Sequence, residues 1–344
     1  MQVSVFNTPV DAKRWDEFVD SSPDATNYHR WEWKQLMEGV FGWPTIYLAA
    51  EDGGRISGIL PVVLIGHRLN CRLFCSMPFL GECGIASSSE MAKRLLLDHA
   101  IKQAQGEGVD YMELRHRHDQ QLGLLAKTDK VRVVLPLGSE TEKIWMALNT
   151  KLRTKIRKAI NAGLTAEFGG LEFVGDFYRI FAQNMRDLGT PVYSEEFFVR
   201  ILTSFPHETF ICRVQLQGRT VAASFLMGFR DTLEAKWTSS LREYLPMKSN
   251  LFLYWNLFCF AVQHKYKVFD FGRSTVGSGT HVFKTQWSGT HSIPLHWDYW
   301  LPNGNRLPER NPGNPKYRMA IQTWRRLPVS VTRILGPRFV RYFP

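Results

Sequence analysis

The sequence predicts an α/β (α+β) protein made of two tandem domains with mixed sheets, followed by a basic helical tail. Three observations carry this. The chain has 344 residues, more than one small core organises. A strand–turn–strand pattern occurs twice, at an offset near 160 residues. It runs from Tyr47-Leu48-Ala49-Ala50 through Gly54-Arg55 to Leu64, and again from Phe210-Ile211-Cys212-Arg213 through Gly218-Arg219 to Met227. Each copy is followed by strand, helix and strand, and the last strands, DYMELR (Asp110 to Arg115) and KVFDFGR (Lys267 to Arg273), align in character. That is a domain-scale duplication and not a solenoid. The expected divisions are 1–137, 138–300 and a tail over 301–344.

The elements follow in order. Val3 to Phe6 reads as a strand, and Arg30 to Val40 has helical spacing through Trp33, Leu36, Met37 and Val40. Ile46 to Ala50 and Ile56 to Ile65 flank the turn Glu51-Asp52-Gly53-Gly54, a hairpin signature. Arg72 to Met77 is a strand. Met91 to Gln105 is a helix that stops near Gly106 and Gly108, and Val109 to Leu114 is a strand. Val131 to Leu137 closes the first half. Ser139 opens one long helix, with Glu142 at capping-box spacing, the stripe Trp145, Leu148, Leu152, Ile156, Ala159 and Ile160, and Gly163 at its C-terminal cap. Helices over Val174 to Leu188 and Glu195 to Phe205 precede the second hairpin, Thr209 to Leu216 and Thr220 to Phe229. Thr232 to Ser239 is a strand, Leu251 to His264 a helix, and Val268 to Phe271 a buried strand that Gly272 ends.

Composition removes several classes. Five cysteines, none in a CxxC pair, fit buried thiols in a reducing compartment better than a disulfide framework. Cys71, Cys75 and Cys83 find no histidine at zinc spacing, so no metal is expected. GxSxG, HExxH, GxxxxGK[ST] and a complete GxGxxG are all missing. MQVSVFNTPV lacks a basic start and a long apolar run, and Leu251 to Val262 is too short to span a bilayer, so the expected location is cytoplasmic, extending to the inner-membrane periphery. The net charge is +11, of which seven Lys or Arg and no acid fall between Asn311 and the end, leaving +4 for the rest.

Three stretches offer chemistry. In VFDFGRSTVGSGTHVFKTQW, Val268 to Trp287, a strand runs into a loop rich in glycine and hydroxyl groups, where α/β proteins place ligands. There Lys284, between Phe283 and Trp287, either stabilises a phosphate or an acyl-transfer oxyanion or is a surface lysine beside core aromatics. Asp270 either orients or deprotonates an amine or caps the turn, and Arg273 and Thr275 are either ligand contacts or turn residues. In KLRTKIRK, Lys151 to Lys158, the cations form either a phosphate site or a solvated helix face. The tail, with Trp324, Phe339 and Tyr342 among arginines, either lies on an anionic membrane or packs back on the body. His116 and His118 are read as surface or hydrogen-bonding groups.

KLRTKIRKAINAGL, then FAQNMRDLGTPVYSEEFF, WTSSLREYLPMKSNLFLYW and FDFGRSTVGSGTHVFKTQW together resemble the FemAB-like proteins of the exosortase (PEP-CTERM) system, in the wider Fem/GNAT superfamily. The resemblance implies two tandem GNAT-like domains and acyl or aminoacyl transfer to an amine of a cell-envelope or exopolysaccharide precursor. The acceptor would be a small-molecule or a lipid- or nucleotide-linked glycan. In the Fem enzymes a lysine after an aromatic near the end of the second domain is thought to stabilise the reaction, which matches Phe283-Lys284. Asp270 is the candidate base. Arg153, Arg157, Arg186, Trp237, Tyr244, Asn250, Arg273, Thr275, Phe283 and Trp287 are the candidate substrate-binding residues. No tightly bound cofactor is expected, with acyl-CoA or aminoacyl-tRNA, and hence tRNA, as co-substrate. The helical arm of some Fem proteins is missing, and the glycine turn differs from the pyrophosphate loop of simple GNAT enzymes, so the donor stays open. The rival reading is a catalytically inert binding module that docks polysaccharide or export machinery at the membrane through the tail.

Overall fold

The computed structural model describes residues 1–66, 71–302 and 315–342. In chain order the first elements are β1 (Gln2–Val5), α1 (Pro9–Ser21), α2 (Glu32–Leu36), β2 (Thr45–Asp52), β3 (Arg55–Ile65), β4 (Leu73–Cys75), β5 (Ala86–Ser87), α3 (Glu90–Glu107), β6 (Tyr111–His116) and β7 (Leu125–Lys127). Next come β8 (Lys130–Pro136), α4 (Thr141–Ala147), α5 (Thr150–Asn161), β9 (Leu164–Gly169), α6 (Val174–Leu188), α7 (Glu195–Ser204), β10 (Thr209–Leu216), β11 (Arg219–Phe229) and β12 (Thr232–Ser240). The chain then forms α8 (Ser249–Gln263), β13 (Val268–Thr275), α9 (Gly279–Thr285), β14 (His291–Pro294), β15 (His296–Trp300), α10 (Pro315–Arg326) and α11 (Val329–Val340).

Two compact units result, each with one mixed sheet. The first sheet runs β1-β2-β3-β4-β6-β15-β7, with β5 on β3. The second runs β14-β8-β13-β12-β11-β10-β9. The duplication read from the sequence is visible in detail. The hairpin β2–β3 shifts register between Ala50 and Glu51, and β10–β11 does so between Val214 and Gln215. The parallel pairs β4–β6 and β12–β13 complete the repeat.

Two strands change sides relative to the expected divisions. Val131 to Leu137, expected to close the first half, supplies β8 of the second sheet, because Val131, Val133 and Leu135 all enter the second core. In exchange residues 296–300, assigned to the second domain without a strand being expected there, form β15 and pair with β6 and β7 of the first sheet. Residues 303–314 of the expected tail lie outside the described residues. The helices α10 and α11 belong to the second unit and pack on α6.

The long helix expected from Ser139 is two helices. Leu148 is extended, and Asn149 caps α5 by accepting the Leu152 N–H at 2.9 Å. The side chain of Asn149 thus competes with helix continuation and wins. Gly272 does not end β13. It adopts φ +72° inside a strand that continues to Thr275. The capping box of Thr8 and Asp11 opens α1, an element the sequence reading does not include.

The second core has two faces. On one, Leu152 and Ile156 of α5 and Leu253, Leu257 and Phe258 of α8 cover Phe269 and Phe271 of β13. On the other, α6 and α7 bring Phe177, Phe181 and Phe198 against Phe225 and Trp237, with Phe198 and Trp237 edge-to-face at 5.2 Å. The five cysteines are free thiols. Among the described residues no helix is long and apolar enough to cross a membrane, and no cluster of His, Cys, Asp or Glu suits a metal ion.

Candidate functional site

The strands β12 and β13 begin as neighbours and then separate. They pair in parallel only over Thr232–Glu234 and Val268–Asp270, although β12 runs on to Ser240 and β13 to Thr275. The pairing ends at Glu234 and Asp270, and two residues further on Gly272 takes a positive φ that suits glycine. Leaving a ladder strands backbone groups, and these must find other partners. Side chains supply them. Asp270 Oδ1 accepts the Gly272 N–H at 2.7 Å, and Lys284 Nζ donates to the carbonyls of Gly272 and Arg273, both at 3.0 Å.

Lys284 comes from α9, which packs on β13. Ser278 starts that helix by accepting the His281 N–H at 3.2 Å. The glycine-rich turn is also held by His281. Its Nδ1 accepts the Gly277 N–H at 3.2 Å, and its Nε2 meets Ser292 Oγ at 2.9 Å. The turn is therefore braced, and the lysine it delivers is fixed.

Lys284 is 9% exposed. Burial pushes its ammonium down from the ordinary 10.5 to about 8. Asp270 and Glu234 oppose the shift, while Lys236 and Arg273 add to it. Two of its three N–H donors are used on backbone carbonyls, so one remains to hold a negative oxygen. This has a stability signature. Between pH 8 and 10.5 the unfolded chain binds more protons than the folded one, so stability rises with pH across that window, by up to about 3 kcal/mol. Lys284→Met is expected to lose that slope in urea titrations at pH 8 and pH 10.

Three residues the sequence reading does not single out complete the cluster. Arg132 of β8 pairs with Asp270 through Oδ2, and Lys236 of β12 pairs with Glu234 at 3.3 Å. Their signal was present: Arg132 alternates with Val131, Val133 and Leu135, and Glu234 with Leu233 and Ala235, so charged side chains occupy the opposite face of central strands. With both carboxylate oxygens engaged, Asp270 holds the strand and the arginine, which fits a positioning role better than the base role offered for it. Ser274, 5% exposed and two residues past Gly272, has a hydroxyl without a hydrogen-bond partner among the described residues, a group that asks for a ligand or a water.

The other expected site residues fall elsewhere. Arg273 and Thr275 are exposed at the end of β13. Phe283 packs on Tyr254 at 5.2 Å, and Trp287 is buried in the core against Phe258 at 4.8 Å. Trp237 belongs to the aromatic core between α6, α7 and the sheet. Arg186 pairs with Asp187 and donates to the carbonyls of Arg325 and Leu327, so it fastens the tail. Tyr244 lies under Arg219, with the guanidinium 5.5 Å from its ring, and Asn250 sits at the start of α8. Arg153 and Arg157 stand on α5, which packs on α8 and β9, the edge strand opposite β14 and β8. Arg157 lies over Trp145 at 5.4 Å.

The equivalent separation in the first unit is filled. There β4 and β6 also pair over three residues, Leu73–Cys75 with Tyr111–Glu113. Beyond them Ser76 Oγ accepts the Arg115 N–H at 2.8 Å, and the Cys83 N–H donates to the Arg115 carbonyl at 2.9 Å. His116 is buried and neutral, its pKa lowered by burial. Its Nε2 accepts the Ile85 N–H and its Nδ1 donates to Asp298 at 2.7 Å, so it hydrogen-bonds within the core and is not a surface group. A Cβ on Gly84 would overlap the His116 ring at 2.0 Å. In the first unit the backbone groups beyond the paired residues are thus taken up by Ser76, Cys83 and His116, where the second unit uses Asp270 and Lys284.

Residues 148–285 match the acetyltransferase (GNAT) domain family. No curated protein matches the chain. Among solved structures, FemX is similar at 14% identity and TM-score 0.68, with 86% of this chain and 97% of that one covered. L-PGS from Bacillus licheniformis is similar at 13% identity and TM-score 0.57, over 94% and 96% of the two chains. A tandem GNAT protein from the clavulanic acid biosynthesis pathway is similar at 10% identity and TM-score 0.55, over 89% and 99%. The chain therefore has the fold of two tandem GNAT-like domains, with mixed sheets and a Fem-like arrangement of elements.

Proposed function

We propose that the protein is an N-acyltransferase of the FemAB/GNAT type, with its chemistry where β12 and β13 separate. The observation that carries this reading is Lys284: a cation, nine-tenths buried, fixed on the backbone at the point of separation. The match of residues 148–285 to an acetyltransferase domain supports it. In the reaction an acceptor amine attacks the carbonyl carbon of the donor. A C–N bond forms, the donor C–S or C–O bond breaks, and the amine proton ends on the leaving thiolate or alkoxide. The negative charge that develops on the carbonyl oxygen takes the third N–H of Lys284, a cation largely withdrawn from water, where such a contact is worth more than on the surface. Arg132, Lys236, Arg273 and Lys284 stand against Asp270 and Glu234, a cationic balance that suits an acceptor or donor carrying phosphate or carboxylate.

The acceptor class, an amine of a cell-envelope or exopolysaccharide precursor, and the link to an exosortase system rest on the sequence resemblance. Acyl-CoA and aminoacyl-tRNA remain the two donor classes. The test is mass-spectrometric detection of an amide product when purified protein is incubated with each donor and with amino-sugar nucleotide acceptors. Formation of amide supports the assignment. Failure to form it with every donor and acceptor, by folded protein, overturns it. Because Lys284 acts as a cation, activity is expected to fall as pH rises through about 8, and Lys284→Arg is expected to move that limb upward in a kcat/KM profile.

A further inference from the structure

The two tail helices each have an occupied face and an outward one. On α11 the residues Thr332, Gly336 and Val340 are buried at a spacing of four. Gly336 lies so close to Val192 that an added Cβ would meet it at 2.8 Å. On α10, Ile321 reaches Gly189, and Arg325 donates to the Leu188 carbonyl at 3.2 Å. Arg333 pairs with Glu195 at 3.1 Å. Trp324 and Phe339 meet edge-to-face at 5.8 Å, which joins the two helices. These contacts decide between packing and membrane contact for the inner faces only: they pack on the second unit.

The outer faces carry a different pattern. Met319 is 71% exposed, Ile334 66% and Phe339 45%. Arg326 and Arg338 are exposed beside them. Met319 with Arg326 on α10, and Ile334 with Arg338 on α11, set exposed apolar and basic groups one or two helical turns apart, the pairing an interfacial helix uses. A helix with apolar and basic residues on one outward side lies in the headgroup region of an anionic bilayer, apolar groups downward and cations at the phosphates. Charge complementarity favours this occupant: Arg318, Arg326 and Arg338 are exposed on the two helices, and from residue 311 onward the sequence has no acid to offset them. Nucleic acid would use the arginines and leave Met319 and Ile334 without purpose.

We propose that the outward face of the α10–α11 pair, through Met319, Arg326, Ile334, Arg338 and Phe339, docks the protein on an anionic lipid surface. The docking does not depend on the acyl-transfer reading and is measured without activity. The probe is the full chain sedimented with vesicles of phosphatidylcholine containing 30% phosphatidylglycerol (about one lipid in three, enough for a negative surface potential), and with pure phosphatidylcholine vesicles. Wild type is expected to sediment with the anionic vesicles only. Arg326→Gln/Arg338→Gln is expected to lose on the order of 30-fold in partitioning, from about 1 kcal/mol for each cation near such a surface. Met319→Ser/Ile334→Ser, which leaves the charges in place, is expected to bind more weakly than wild type. Both variants change outward side chains, and an unaltered melting temperature confirms that the fold is intact. Equal partitioning of wild type and the charge variant, equal binding to both vesicle types, no binding at all, or exclusive binding to RNA or to a second copy would each overturn the proposal.

Discussion

Lys284→Ala is expected to lower acyl transfer on the order of 10²-fold or more, with kcat and kcat/KM falling together. The size follows from where the charge sits. An oxyanion donor is worth a few kcal/mol in a site from which water is excluded, and Lys284 is nine-tenths buried and already oriented by two backbone carbonyls. The stability of the variant separates this role from a structural one. Removing the side chain deprives Gly272 and Arg273 of charged hydrogen bonds, at a cost of roughly 1.5–3 kcal/mol each. It also removes a burial penalty of about 3 kcal/mol near neutral pH, since the ammonium is pushed from 10.5 to about 8. The second term offsets about half or more of the first, so the variant is expected to be at most about 3 kcal/mol less stable, and turnover is compared under conditions where urea unfolding shows it folded. A lysine that served only the backbone would leave the turnover of the folded variant unchanged.

Asp270→Ala is expected to be the most destabilising change near the site, at about 3–5 kcal/mol by urea unfolding. The carboxylate is buried and pairs with Arg132, so its loss strands a buried guanidinium. The Gly272 N–H loses its acceptor two residues past the end of the pairing. The same carboxylate helps keep Lys284 charged, and the variant is expected to show a lower lysine pKa as well. Asp270→Asn keeps an oxygen for the Gly272 N–H and is expected to cost less. If Asp270→Ala is as stable as wild type, the buried pair does not hold the strand.

Where backbone chemistry is local, the sequence was enough. The hairpin Thr209 to Leu216 is legible because the strand pattern meets Gln217-Gly218, both with positive φ in the structure. The helix Val174–Leu188 is legible because Gly189 ends it in the left-handed conformation. Choices made between distant segments were not legible. Strand β8 reads equally well in either unit, since a strand's pattern says which face is buried and not which sheet receives it, and residues 296–300, which form β15, were not read as a strand at all. For the same reason Lys284 could be named from its neighbours, whereas Arg132, Glu234 and Lys236 acquire meaning only once β8, β13 and β12 lie side by side. Residue type also failed to divide aromatics by role. Trp237 and Trp287 fill cores, as most large aromatics do, and their closeness in sequence to candidate residues carried no geometric content. The break at Asn149 was missed because an apolar stripe of helical spacing continues across it, while one side-chain hydrogen bond decides the backbone.

The central claim is that the separated strands of the second unit hold an acyl donor beside Lys284. Its most direct test is the melting temperature of the intact chain with acetyl-CoA, with aminoacyl-tRNA and with a nucleotide-linked sugar. A ligand that binds only the folded state at 100 times its Kd adds about 2.7 kcal/mol, enough to raise Tm by several degrees. One of the two donors is expected to give that rise. No shift with either donor at millimolar acetyl-CoA and saturating tRNA would contradict the account.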